Sequence, residues 1–144
     1  MIDRMQIAEL IPHAGSMCLL EHVMHWDAVS IRCMATSHRD PQNPLAVGGQ
    51  LSAACGVEYA AQAMALHGAL VGAVDRRPRR GYLASVRALI LAVDRLDNLP
   101  GDLVIEAERL AGESSHVSYQ FIISTAGNVL LRGRTAAVLD AGRA

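Results

Sequence analysis

The sequence is poor in aromatic residues and in charge. Its 144 residues include one Phe, one Trp and three Tyr, and Asp, Glu, Lys and Arg together make up 19% of the chain. So few aromatic side chains argue against the base-stacking surface on which single-stranded nucleic acids bind. The formal net charge of −1 provides no general attraction to nucleic acid or to an anionic membrane. A charged fraction this low favours an oligomer that covers part of the surface.

Long apolar runs, an export signal and metal-binding patterns are also missing. No uncharged apolar run reaches the roughly 18 residues that a membrane-spanning helix requires. The first residues, MIDRMQIAEL, contain acids and lack the apolar core of a signal peptide, so we expect a cytoplasmic protein. Cys18, Cys33 and Cys55 are then reduced thiols, and their spacing matches no zinc or redox motif. We predict no metal and no cofactor.

The pattern of prolines, glycines and apolar stretches predicts one domain over residues 1–144. A short helical turn, MQIAELI, ends before Pro12, and a long helix is predicted from residue 51 to about 70, with Ser52 as its N-cap. The first two strands form a hairpin that turns at Asp27–Ala28. Strands are predicted, in chain order, over 17–27, 28–37, 82–93, 101–112, 116–124 and 128–139.

The long helix is apolar on nearly every face. A helix of that kind must be enclosed by the rest of the protein, because a helix laid against a core needs only one apolar stripe. The simplest enclosure that six strands offer is an antiparallel sheet curled around the helix. We therefore predict an α+β fold with a central helix and a wrapped sheet.

One carboxylate, Glu58, stands near the start of this helix. An acid in an apolar setting is costly unless it is used or neutralised. We expect burial to raise its pKa, which suits it to donate a proton near neutral pH, and Gln62 lies one turn later to orient the carboxyl group. The structural alternative is an acid paired with an arginine, Arg87 or Arg109.

Three segments carry a resemblance to a known family: IPHAGSMCLLEHV, NPLAVGGQLSAACGVEYAAQAMALHG and NLPGDLVIEAERL. Together they resemble the 3-hydroxyacyl-[acyl-carrier-protein] dehydratases, and most closely the dehydratases of aryl-polyene biosynthesis clusters, over roughly residues 5 to 140. The resemblance implies the hotdog fold, a curved antiparallel sheet wrapped around a long central helix. It implies a lyase that converts a 3-hydroxyacyl thioester to the 2-enoyl thioester, in fatty acid or polyene biosynthesis.

The chain departs from related fatty-acid dehydratases at one catalytic position. Those enzymes usually carry a histidine in a Gly-His-Phe-Pro loop upstream of the helix acid, whereas the corresponding stretch here, VGGQLSAACGVE, contains none. Either another histidine acts as the base at C2, or this chain catalyses a different reaction. His13, after Pro12 in the matched segment, is the first choice, and its structural alternative is a cap of the short helix or a hydrogen bond to a loop carbonyl. His38, in the loop SHRDPQNP, is the second choice.

The thioester oxygen needs hydrogen-bond donors as negative charge develops on it. A helix N-terminus supplies free amides and the positive end of its dipole. We therefore expect the backbone around Gly49, Ser52 and Ala53 to bind the substrate, and we include Asn43 in the preceding loop and Gln62 in the substrate-binding set.

The expected partners follow from the resemblance and from one basic loop. The segment DRRPRRG, residues 75–81, has four arginines in five positions and is either a solvated turn or a dock for an acidic acyl carrier protein. The expected substrate is an acyl-carrier-protein or CoA thioester, and the expected assembly is a hotdog homodimer or heterodimer, with no nucleic acid and no membrane partner. Two alternatives stay open because the same scaffold hosts them, namely a thioesterase that uses Glu58 as base or nucleophile, and a non-catalytic hotdog subunit.

Overall fold

The computed structural model describes residues 2–11, 15–72, 81–112 and 116–139. His13 and the four arginines of the basic loop, at 76, 77, 79 and 80, lie outside these ranges. The helices are α1 (Arg4–Leu10) and α2 (Gly56–Val71). The strands are β1 (Ile2–Asp3), β2 (His22–Trp26), β3 (Ser30–Ala35), β4 (Gly81–Leu91), β5 (Leu103–Gly112), β6 (His116–Thr125) and β7 (Asn128–Leu139). Within the described ranges, no helix is long and apolar enough to cross a membrane.

All strands belong to one antiparallel sheet in the order β1-β2-β3-β5-β6-β7-β4. The sequence predicts six strands, and the additional one is the two-residue β1, which pairs with β2 through Ile2 and Val23. A strand of two residues has no periodicity for a sequence pattern to reveal. The two edges of the described sheet are β1 and β4.

The core lies between the inner face of the sheet and α2. Tyr59, Ala60, Ala63 and Leu66 of the helix are fully buried, as are alternate residues of the long strands. The helix begins so close to β7 that a Cβ atom on Gly56 would lie 2.7 Å from Leu131 Cδ1. The predicted α+β architecture, a curved antiparallel sheet around one long helix, is confirmed.

The helix is less completely enclosed than its composition predicts. Ala65 and Gly68 are exposed, and Glu58 and Ala61 are half-buried, so one narrow stripe of α2 faces away from the sheet. The stripe consists mainly of small residues, which are as apolar as core residues in a sequence pattern. Glu58 lies on this stripe and is half-buried, so it is less enclosed than the all-round apolar pattern of the helix predicts.

Two element boundaries also differ from the prediction. The strand predicted from residue 17 begins at His22, because the preceding residues form a 3-10 turn (Gly15–Met17) and a segment without regular secondary structure. Ser52 caps the 3-10 turn Ala53–Cys55, and α2 itself begins at Gly56.

Candidate active site

Glu58 and Gln62 form a pair on α2, one helical turn apart. The Gln62 side-chain amide lies 3.4 Å from Glu58 Oε1 and donates to it. Gln62 is fully buried, whereas Glu58 is half-buried, so the carboxylate stands at the border between the core and the open stripe of the helix. The sequence spacing predicts this contact, and the structure confirms it.

Gln62 also holds the segment that leads into β2. Its Oε1 atom accepts from Leu19 N at 2.9 Å, and its Nε2 atom donates to Met17 O at 2.7 Å. One buried amide therefore satisfies two backbone groups of residues 17–19 and contacts the Glu58 carboxylate. The contacts that the structure gives Gln62 are those of a positioning residue.

Arg4 fixes the other side of the same segment. Its guanidinium donates to Gly15 O at 3.1 Å and lies 4.0 Å from the Glu21 carboxylate. The described chain on the C-terminal side of residue 13 is thus tied both to α1 and to α2. His13 itself lies outside the described residues.

The amides at the start of α2 have acceptors within the protein. Ala53 N donates to Asp94 O at 2.9 Å, and Ala54 N donates to Ser52 Oγ at 3.3 Å. The N–H of Gly56 donates to carbonyls of the 3-10 turn. We expected the backbone around Ser52 and Ala53 to offer free amides to a thioester oxygen. This is wrong for the N–H groups of residues 53, 54 and 56, because each of them already donates a hydrogen bond within the protein.

Gly48 and Gly49 form a tight turn between Val47 and Gln50. Both glycines have positive φ, 59° and 76°, and Val47 and Gln50 exchange backbone hydrogen bonds across them. A Cβ atom on Gly49 would have nothing within 4 Å. Glycine is needed here for its backbone conformation, as in a type I′ turn.

Asn43 belongs to a buried polar cluster that sequence reasoning missed. Its Nδ2 atom donates to Ser37 O at 2.9 Å and to the Tyr59 hydroxyl at 3.1 Å, while its Oδ1 atom accepts from Leu45 N at 2.9 Å. The Ser37 hydroxyl lies 2.8 Å from the same Tyr59 oxygen, and burial raises the pKa of Tyr59. The cluster attaches the loop before α2 to the buried side of the helix. The available signal was Asn43 before Pro44, an arrangement typical of a turn-forming side chain.

His38 is buried beside this loop. Its Nε2 atom lies 3.1 Å from Leu99 O and therefore carries the proton, and its Nδ1 atom is buried without a hydrogen-bond partner in the part of the chain that the structure describes. Burial lowers the pKa of His38, which keeps the ring neutral. We expected His38 to lie at the open mouth of a substrate site, and its burial is inconsistent with that position.

His67 is also enclosed. Its Nε2 atom donates to Asp27 O at 2.8 Å, so its Nδ1 atom accepts from the Tyr119 hydroxyl. Burial lowers the pKa of His67 and raises that of Tyr119 to about 12. Both ring nitrogens are used to join α2, β6 and the β2–β3 turn, which is a structural role.

The arginines proposed as structural partners of Glu58 lie elsewhere. Arg87 is exposed on β4, and the Arg109 guanidinium lies over Gly112 on β5. Among the described residues, no ion pair joins either arginine to Glu58.

A comparison with protein families finds one model that matches nearly the whole chain. The model describes the ApeP dehydratases (ApeP-like) and matches residues 5–140. The chain belongs to the ApeP-like dehydratase family. This confirms the resemblance on which the expected fold and activity rest, and it makes the protein a member of a family of lyases. A comparison with curated proteins finds no match.

Solved structures place this ApeP-like chain among hotdog proteins. The dehydratase heterocomplex ApeI:P from Xenorhabdus doucetiae aligns with a TM-score of 0.84 and 25% identity, over 93% of this chain and 90% of that chain. A thioesterase from Haemophilus influenzae aligns with a TM-score of 0.68 and 13% identity, over 99% and 94%. A mutant thioesterase from Pseudomonas aeruginosa aligns with a TM-score of 0.66 and 16% identity, over 95% and 94%. The thioesterases share the fold alone.

Proposed function

We propose that this protein dehydrates a 3-hydroxyacyl thioester to the 2-enoyl thioester and that Glu58 is the general acid. The observation that carries the proposal is the Glu58–Gln62 pair. It presents a half-buried carboxylate at the edge of the core, in a chain that belongs to a dehydratase family. An acid in such a position is partly covered by the core and remains reachable from the open stripe of α2.

The reaction needs no oxidant and no second substrate. A base removes a proton from C2, the C2–C3 double bond forms from that electron pair, and the C3–O bond breaks. Glu58 protonates the departing hydroxyl, so one molecule of water leaves. General acid catalysis of this kind is most effective when the donor is held within hydrogen-bond reach of the leaving oxygen.

For the base we propose His13. What supports this is the position of the residues that follow it. Met17 O, four residues later, accepts from the same Gln62 amide that contacts Glu58, and Gly15 O accepts from Arg4. The enclosed positions of His38 and His67 also favour another histidine, because their described hydrogen bonds use ring nitrogens within the core.

Gln62 is proposed as a positioning residue for Glu58. Its second amide contact, to Met17 O at 2.7 Å, fixes the orientation of the amide within the protein. The donor at Oε1 fixes the orientation of the carboxyl group, and a general acid must be held in a fixed orientation toward the leaving oxygen.

The carrier, the setting and the assembly are parts of the same proposal. We propose a substrate linked to an acyl carrier protein or to CoA, a cytoplasmic enzyme, and a role in fatty acid or polyene biosynthesis. We also propose that the protein works as a pair with a second hotdog chain. The similar ApeI:P structure is a heterocomplex of dehydratases, which supports a partner of this architecture.

The test is to incubate the purified protein with 3-hydroxyacyl thioesters of CoA and of an acyl carrier protein, and to follow each product by mass spectrometry. Loss of one water supports the proposal. Loss of the acyl group indicates a thioesterase, and an unchanged substrate indicates a subunit without activity of its own. A parallel incubation with authentic 2-enoyl thioester in water detects the reverse hydration, which a true dehydratase must also catalyse.

A further inference from the structure

Leu19 lies in a segment without regular secondary structure, and side chains bind both of its backbone groups. Its N–H donates to Gln62 Oε1 at 2.9 Å, and its carbonyl oxygen accepts from the Ser37 hydroxyl at 2.7 Å. Leu19 is fully buried, so these groups have no access to bulk water. Two side chains from other parts of the chain supply the hydrogen bonds that a neighbouring strand would otherwise provide. The position of Leu19 therefore depends on Gln62 and Ser37.

The hydrogen bonds around Ser37 run in one direction. A carbonyl oxygen cannot donate, so the single proton of the Ser37 hydroxyl points to Leu19 O. The Tyr59 hydroxyl, 2.8 Å from Ser37 Oγ, must then donate to it, and the Tyr59 oxygen accepts from Asn43 Nδ2 at 3.1 Å. Burial raises the pKa of Tyr59, which keeps this donor protonated. The donor and acceptor roles of both hydroxyl groups are thus fixed by their neighbours.

Together with α2, these bonds form a closed ring. Tyr59 and Gln62 lie about one turn apart on the helix, at positions i and i+3. Gln62 binds Leu19 directly, and Tyr59 binds it through Ser37. We call the ring of Tyr59, Ser37, Leu19 and Gln62 the Leu19 clamp. Because the clamp holds Leu19 at two points, Leu19 cannot pivot about its bond to Gln62 without breaking its bond to Ser37.

The contact between Gln62 and Glu58 is the longest bond attached to the clamp. Gln62 Nε2 lies 3.4 Å from Glu58 Oε1, whereas the two bonds to Leu19 are 2.9 and 2.7 Å long. An N–H···O bond usually measures about 2.7–3.2 Å, so the contact with Glu58 has little distance to spare. A displacement of Leu19 turns the Gln62 amide, because the Oε1 atom follows the Leu19 N–H. The contact with Glu58 is then the first to break.

We propose that Ser37 is a positioning residue for Glu58 and acts through Leu19 and Gln62. This role rests on the proposed function, in which Glu58 transfers a proton to the leaving hydroxyl. Ser37 holds Leu19, Leu19 orients the Gln62 amide, and the amide orients the carboxyl group. Orientation of the reacting groups supplies a large part of enzymatic rate acceleration, and a misplacement of about 1 Å can cost about a hundredfold in rate.

Two substitutions of Ser37 test this role by steady-state kinetics on a 3-hydroxyacyl thioester, with loss of water as the signal. Ser37→Ala frees Leu19 O, so we expect kcat to fall at least about tenfold while KM stays within about twofold of wild type. Ser37→Thr keeps the hydroxyl and should retain most of the turnover. A wild-type kcat in Ser37→Ala overturns the proposal, as does an equal loss in Ser37→Thr.

Tyr59→Phe tests the same ring without altering Ser37. It removes only the phenol oxygen, and with it the donor that fixes the Ser37 hydroxyl. We expect kcat to fall with KM unchanged, by less than in Ser37→Ala, because Ser37 keeps its own bond to Leu19. This variant decides the question if Ser37→Ala does not fold, and a wild-type kcat would then overturn the proposal.

A buried hydroxyl elsewhere in the sheet provides the matched control. Thr125 Oγ1 donates to Asp102 O at 2.9 Å, and Thr125 is 7% exposed, so Thr125→Val removes a comparable hydroxyl–carbonyl bond. We expect Thr125→Val to lower Tm, as Ser37→Ala does, and to leave kcat unchanged. A similar loss of kcat in both variants would make the effect one of stability and overturn the proposal.

Glu58→Gln provides a background in which the effect of Ser37 should disappear. The variant side chain transfers no acidic proton, so its orientation no longer matters to that step. Adding Ser37→Ala to Glu58→Gln should therefore lower kcat by less than about a further twofold, which is the non-additivity expected of residues that act through one group. Losses that multiply in the double variant would show that Ser37 acts by another route and overturn the proposal.

Hydrogen exchange at the Leu19 amide tests the clamp independently of activity. Followed by NMR well below Tm, this N–H should exchange at least about tenfold faster in Ser37→Ala than in wild type, and at the wild-type rate in Thr125→Val. Unchanged exchange in Ser37→Ala, or faster exchange with a wild-type kcat, overturns the positioning role while dehydration by the wild type still stands. A wild type that dehydrates no thioester overturns the proposed function, and the positioning role with it, even where the exchange rates confirm the clamp.

Discussion

The Gln62 amide nitrogen contacts two oxygens, Glu58 Oε1 at 3.4 Å and Met17 O at 2.7 Å. It thereby joins the carboxylate of the central helix to the segment that follows residue 13. The link between that segment and the carboxylate is one fully buried side chain. The geometry around Glu58 therefore depends on a residue that need not touch the substrate.

Gln62→Leu should destabilise the protein and impair turnover. The change leaves Leu19 N and Met17 O without their buried partner, and an unsatisfied buried group costs about 1–3 kcal/mol. We expect the free energy of unfolding in urea to fall by about 2 kcal/mol or more, and kcat to fall more than KM changes. Gln120→Leu, an exposed residue with one side-chain bond to Glu108, should change stability by less than about 0.5 kcal/mol. Equal effects of the two substitutions would contradict the positioning role.

Gly56→Ala should destabilise the protein although alanine favours helix. The new methyl group would lie 2.7 Å from Leu131 Cδ1 and 3.2 Å from Ile123 Cδ1, and overpacking of this kind costs about 1–3 kcal/mol. Gly68→Ala on the same helix is the control. A Cβ atom there meets nothing within 4 Å, so the gain in helix propensity of up to about 1 kcal/mol should appear as a higher Tm. The account of the helix–sheet contact fails if Gly56→Ala also raises Tm.

Asn43→Ala should lower stability with little effect on KM. The side chain makes three hydrogen bonds within the protein, to Ser37, Tyr59 and Leu45, and its removal leaves buried polar groups unsatisfied. Thermal unfolding and steady-state kinetics on the same preparation separate the two roles. A raised KM at unchanged Tm would support the sequence-based prediction that Asn43 binds substrate.

Stability should fall as pH drops from about 7 to about 5. Burial lowers the pKa values of His38 and His67, so below the ordinary histidine value of about 6.5 the unfolded chain takes up protons that the folded chain does not. The stabilisation is fully present above that pH and is lost as pH falls, by at most about 1.4 kcal/mol per pH unit for each histidine. Urea unfolding at several pH values measures the slope. His67→Gln should flatten it, and His25→Gln, at an exposed residue, should not.

The elements with long, uniform patterns were predictable from the sequence. The apolar helix, its single acid and the Glu58–Gln62 spacing follow from side-chain chemistry and helix geometry, and the four long strands β4 to β7 follow from their apolar content and turn residues. Their register and order in the sheet do not, because these depend on contacts between distant parts of the chain.

The details around the site were less predictable. The apolar pattern predicts a strand that includes residues 17–21. The local sequence gives no sign that the Gln62 side chain, 43 residues after Leu19, binds the backbone of Leu19. The sequence pattern also predicts free amides at the start of the long helix. It cannot show that Ala53 N donates to Asp94 O, because Asp94 lies on a distant segment of the chain. His38 and His67 differ little from other histidines in sequence, and burial in the fold decides their protonation.

The most direct test of the account is the turnover of Glu58→Gln on a 3-hydroxyacyl thioester, followed as loss of water by mass spectrometry. The amide preserves shape and hydrogen bonding but carries no acidic proton, so we expect a normally folded protein with a loss in kcat of about a hundredfold or more. Glu106→Gln, an exposed acid of β5, is the control and should retain full turnover. Full turnover in Glu58→Gln, or unfolding of that variant, would make Glu58 a structural acid and contradict the account.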